Sequence, residues 1–124
     1  MTGNKKILIV DDSRLVLSLH SNILKKIGFE CVSAQNGAMA LEACIQSKFD
    51  LILTDINMPK MDGYEFTRKV RATDGYEFVP IIMISTEQEA QDKTRGIEAG
   101  ANVYIVKPVG ADELATHVKM LLGG

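Results

Sequence analysis

Residues 7–12 read ILIVDD, four aliphatic residues in an unbroken run that stops on two carboxylates. A strand with one wet face alternates apolar and polar residues, whereas a strand covered on both faces does not. The unbroken run therefore predicts a strand inside a parallel sheet. Four more short apolar runs follow it: Glu30 to Ala34, Leu51 to Thr54, Ile81 to Ser85 and Val103 to Val106. LIL at 51–53 and IIMI at 81–84 repeat the continuous pattern. Between the runs the spacing is helical. Leu15, Leu19, Ile23 and Ile27 recur every fourth residue as the stripe of a first helix, and Gly28 supplies its stop. Ala40, Leu41, Cys44 and Ile45 mark a second helix, and Phe66 and Val70 a third. Ala90, Ile97 and Ala101 mark a fourth that ends at Gly100, and Leu114, Val118, Leu121 and Leu122 a fifth.

Strand then helix, five times over, predicts an α/β doubly wound (βα)5 sandwich of the flavodoxin-like kind. Its five-stranded parallel sheet takes the usual order 2-1-3-4-5, joined by right-handed crossovers. The 124 residues suit one domain, 1–124. Acidic and basic residues nearly balance, 16 against 14, so there is no basic excess to grip phosphate backbones and nucleic acid is not an expected partner. No apolar run is long enough to cross a bilayer, and Met1 to Lys6 lacks the apolar stretch of a signal peptide, so a cytoplasmic protein without membrane contact is expected. Cys31 and Cys44 are read as small apolar residues rather than as a disulfide or metal site.

In such sheets the functional site lies beyond the carboxyl ends of the strands. Asp11 and Asp12 end the first strand, Asp55 the third, Ser85 the fourth and Lys107-Pro108 the fifth. Leu51 and Ile81 stand thirty residues apart, against roughly twenty between the other strand starts, and part of the excess forms a loop directly after Asp55. Asp11-Asp12-Ser13 read alone is a helix N-cap. That reading does not account for Asp55. Three carboxylates about 5 Å apart repel by ~3 kcal/mol per pair at an effective dielectric near 20. Raised pKa values or a hard cation, Mg²⁺ or Ca²⁺, must offset the repulsion. A carboxylate nucleophile, an ammonium and a hydroxyl around one point suit phosphoryl transfer.

In their joint order, Asp11-Asp12, Asp55 followed by INMPKMDG, Ser85, Lys107-Pro108 and the Gly-Ala-Asn turn at 100–102 resemble the receiver domain of two-component response regulators, of the stand-alone, CheY-like type. The resemblance covers Lys6 to Leu122. It implies that Asp55 accepts a phosphoryl group from a phosphohistidine on a sensor histidine kinase or phosphotransfer protein. It implies Mg²⁺ held directly by Asp12 and Asp55, through water by Asp11, and by the Asn57 carbonyl. Lys107 would pair with one phosphoryl oxygen, and Ser85 with the amides of Ile56 and Thr86 would take the others. Tyr104 stands where the family carries its switch aromatic, filling space vacated by Ser85.

A downstream protein target would meet the fourth helix, fifth strand and fifth helix, with Ala90, Lys93, Ile97, Tyr104, Val106 and His117 as candidate contacts. With no output domain in the chain, output would come from that binding, in chemotaxis or motility. Other openings are a relay intermediate feeding a histidine phosphotransfer protein, or a receiver excised from a larger regulator or hybrid kinase. The protein would be a monomer or a phosphorylation-dependent dimer. Thr86, where receivers often carry Ala or Gly, predicts slower loss of phosphate, and Asn57 and Glu87 also flank the site. Met58-Pro59 and Asp62-Gly63 are assigned to loop shape, His20 to a surface or satisfied group, and the acidic run from Glu87 to Asp92 to a solvated helix start. An aspartyl phosphatase would need an acid two residues after the nucleophile, where Asn57 stands. A mononucleotide binder would need a phosphate-cradling loop where Asp11-Asp12 stand.

Overall fold

The computed structural model describes residues 5–86 and 90–123. Five strands alternate with five helices: β1 (Lys6–Val10), α1 (Arg14–Lys26), β2 (Glu30–Ala34), α2 (Gly37–Gln46), β3 (Leu51–Asp55), α3 (Gly63–Arg71), β4 (Ile81–Ser85), α4 (Ala90–Ala99), β5 (Val103–Val106) and α5 (Ala111–Leu122). All pairings are parallel and the order is β2-β1-β3-β4-β5, the architecture and order read from the sequence. Among the described residues, no helix is long and apolar enough to cross a membrane.

Side-chain alternation sorts the core into two layers. Ile7, Ile9, Leu51, Leu53, Ile82, Ile84 and Ile105 meet α1 and α5 through Leu17, Leu24, Leu114 and Val118. Leu8, Val10, Ile52, Ile81 and Met83 meet the other three helices through Ala40, Cys44, Phe66, Val70 and Ala99. The continuous apolar runs therefore exist because each strand must feed both layers.

One sequence expectation fails on α1. Leu15 and Leu19 are 80% and 54% exposed, Ile23 and Ile27 pack partly against the core, and the buried positions are Leu17, His20, Ser21 and Leu24. The helix is present, and Gly28 closes it at φ 101°. Its apolar residues nearly encircle the first turns, so spacing could not choose the inward face. The long β3-to-β4 connection divides into two parts at opposite edges of the sheet. Residues 56–62 follow Asp55, while residues 72–80 precede β4 at the edge away from the carboxylates.

Candidate functional site

Asp11 and Asp55 continue the parity of Ile7, Ile9, Leu51 and Leu53, and Lys107 that of Ile105, so the three side chains leave the carboxyl ends of β1, β3 and β5 on the same side of the sheet. Lys107 Nζ lies 3.2 Å from Asp11 Oδ2 and 3.3 Å from Asp55 Oδ1. Asp12 joins them, with one carboxylate oxygen from each of Asp11, Asp12 and Asp55 within 4.8 Å of the others. Asp11 and Asp55 are buried, and Asp12 is exposed at the mouth. The N-cap reading of the first loop also holds locally. Asp11 Oδ1 accepts the Ser13 amide at 2.9 Å, and Ser13 Oγ accepts the Val16 amide.

Burial pushes the Asp55 carboxyl above its ordinary range, and the Asp11 carboxylate adds to the push. Lys107 and the Ile56 amide pull the other way without cancelling it. Burial works against the Lys107 ammonium, yet Asp55 and Asp11 outweigh it and raise its pKa. One ammonium therefore answers two buried carboxylates and leaves the cluster short of positive charge. Three convergent oxygen donors with that deficit are a donor set for a hard divalent cation.

Ser85 is fully buried at the end of β4, on the same sheet side as Met83 and Tyr104. Asp55 pairs in register with Ile84, which places Ser85 one step beyond it on the adjacent strand. Asn57 and Thr86 are exposed at the rim. The loop after Asp55 is tied back tightly. The Gly63 amide donates to the Ile56 carbonyl at 2.8 Å, and a Cβ on Gly63 would strike the Asp55 carbonyl oxygen, so only glycine lets α3 start this close. Asp62 caps that helix by accepting the Glu65 amide at 2.9 Å.

Of the candidate output residues, Lys93 and Ile97 are exposed, and Tyr104, Val106 and His117 are half-buried. Glu87 and the side chain of Ala90 lie outside the described residues. Sequence reasoning missed His20. It is 6% exposed and lines, with Val16, Leu19, Thr86, Lys107 and Pro108, a groove of about 350 Å³ beside the carboxylates. Burial pushes its imidazole down, Asp11 opposes this and Lys107 adds to it. No sequence signal singled it out, because spacing does not choose the inward face of α1.

Comparison with known proteins agrees with this geometry. The response regulator receiver domain family matches residues 7–119. The chemotaxis protein CheY1 of Helicobacter pylori is 38% identical over 95% of this chain and 97% of its own length. The structure of CheY4 of Vibrio cholerae superposes with a TM-score of 0.93 at 36% identity, covering 97% of this chain and all of that one. The receiver domain of the Pseudomonas aeruginosa sensor histidine kinase PA1611, with magnesium coordinated in its active-site cleft, superposes at 0.90 with 28% identity over 98% of this chain and 100% of that one. Several other curated relatives are longer, and the chain spans 49% of one and 15% of another. A match across the whole sheet, together with acidic residues and a lysine gathered at its carboxyl edge, places this chain in the response regulator receiver domain family of two-component signalling.

Proposed function

We propose that the chain is a phosphorylation-activated switch that takes a phosphoryl group on Asp55 from a phosphohistidine of a sensor kinase or phosphotransfer protein. The observation that carries this reading is the single lysine shared at 3.2 and 3.3 Å by two buried carboxylates. Such a cluster is short of positive charge and suited to a cation together with a phosphoryl anion.

One Asp55 carboxylate oxygen attacks phosphorus, the P–N bond breaks, and the leaving imidazole nitrogen keeps the electron pair and takes a proton. Asp11, Asp12, Asp55 and the Asn57 carbonyl would hold Mg²⁺, whose chemistry is to offset charge on the carboxylates and the transferred oxygens. Lys107 exchanges its Asp55 contact for a phosphoryl oxygen and keeps Asp11 as its anchor. Ser85, with the amides of Ile56 and Thr86, donates to the remaining oxygens. Drawing Ser85 inward frees space on the side of the sheet that Tyr104 shares, and the change is read on α4, β5 and α5 by a downstream protein. Two of the relatives that match over nearly their whole length, from H. pylori and V. cholerae, carry chemotaxis names and favour a chemotaxis or motility setting.

The test is intact-mass measurement after incubation with Mg²⁺ and acetyl phosphate. The wild type is expected to gain one phosphoryl group, and Asp55→Asn or removal of Mg²⁺ by EDTA to abolish the gain. An undiminished gain in Asp55→Asn would sink the assignment.

A further inference from the structure

Tyr64 lies on none of the strand ends, yet it holds α4 of the proposed output face at two points. It is the second residue of α3 and 3% exposed. Its hydroxyl donates to the Asp92 carbonyl of α4 at 3.2 Å, and the Arg95 guanidinium of the same helix sits 4.1 Å over its ring. Burial, with Tyr104 and Asp92 adding to it, pushes its pKa up to about 12. A Cβ on Gly96 would come within 3.0 Å of both the Tyr104 ring and Met83 Sδ, so α4 rests directly on Tyr104. At its other end Tyr64 follows Gly63, which is packed without slack against the Asp55–Ile56 peptide.

We propose that Tyr64 is a positioning residue for the output face: it pins α4, and through α4 the Tyr104 seat, in the resting arrangement, so the strength of this pin sets how readily the switch turns. The inference rests on the switch reading above. Tyr104 cannot change its seat without displacing α4, because Gly96 leaves no gap between the helix and the Tyr104 ring. A displacement of the Asp55–Ile56 peptide reaches Tyr64 through a contact with no side chain to absorb it. Arg95 adds a cation over the ring face, so α4 is held by a hydrogen bond and a cation–π contact at successive turns. If the resting arrangement dominates, weakening the pin lowers the ligand concentration needed to leave it by the same factor.

The experiment is hydrogen exchange on the full chain with Mg²⁺ and increasing beryllofluoride, a phosphoryl mimic, comparing wild type with Tyr64→Phe. The variant keeps the ring and its Arg95 contact and loses the hydroxyl. The α4 amides are expected to exchange roughly 2–10-fold faster at rest, with other elements unchanged, and the beryllofluoride midpoint is expected to fall by a similar factor. Arg95→Met, on the exposed side of the ring, should move both readouts in the same direction and serves if Tyr64→Phe folds poorly. An unmoved midpoint, or exchange that accelerates equally throughout the chain, would overturn the pin, because a merely structural role gives that pattern. A wild type that ignores beryllofluoride would instead remove the switch reading itself, and the pin with it.

Discussion

Burial and the Asp11 carboxylate make the ionised form of Asp55 unfavourable in the folded protein. Its raised pKa already includes the pull of Lys107, so the net effect of ionising it in the folded state is unfavourable. A group whose folded pKa is raised contributes stability that is complete below its unfolded pKa and lost as pH rises through the folded one. Asp55→Asn is therefore expected to raise the melting temperature by a few degrees at neutral pH in Mg²⁺-free buffer, with the gain vanishing below the ordinary carboxylate range. Millimolar Mg²⁺ should stabilise the wild type and not the variant, since only a ligand held by the folded state shifts unfolding. Thermal scans across pH, with and without Mg²⁺, check both signs. Thr86 makes a second prediction at this scale. Its exposed side chain stands at the rim of the groove shared with Lys107, where its extra bulk would narrow the approach of water. Thr86→Ala should lose its phosphoryl group several-fold faster, and equal decay rates by timed intact-mass measurement would reject the idea. Strand-end residues such as Asp55 and Lys107 were legible from sequence because each closes a short apolar run. His20 and Tyr64 were not, because a polar residue within an amphipathic helix shows its partner only after packing.

Helix α1 shows the limit of periodicity at the scale of one element. Leu15, Val16, Leu17 and Leu19 leave two overlapping stripes, and which one faces inward depends on how β1 hands the chain to the helix through Asp12 and Ser13. The inward stripe includes Leu17 and Leu24, 6% and 0% exposed, against 80% for Leu15. Leu24→Ala should cost about 2–5 kcal/mol in urea unfolding, Leu17→Ala toward the lower end, and Leu15→Ala no more than about 0.5 kcal/mol. A large loss at Leu15 would restore the stripe read from spacing. Helix α3 is the opposite case. Asp62-Gly63 was legible as a turn and cap, and the structure adds that Gly63 also sets how closely the helix meets Asp55.

Across the whole molecule, one arginine ties several loops together at the edge away from the carboxylates. Arg71, at the end of α3, donates to the carbonyls of Gly100, Tyr76 and Val79 and to Asn102 Oδ1 at 2.6–3.0 Å. It joins the loop before β4 to the turn before β5, and Asn102 Oδ1 also accepts the Ile81 amide. Arg71→Met should cost roughly 2–4 kcal/mol by leaving several partly buried acceptors unpaired, while phosphoryl uptake at Asp55 proceeds unchanged in conditions where the variant is folded. Urea unfolding and intact mass on the same preparation check the two halves. The sequence by itself determined the order of strands and helices and the residues that end each strand, because those follow from local patterns of burial and chain stops. Only the tertiary structure decided which face of α1 is buried, that one lysine serves two carboxylates, and that Tyr64 holds α4. Those outcomes join residues far apart in the chain, 96 positions for Lys107 and Asp11 and 28 for Tyr64 and Asp92, and distance in space is not written in local pattern.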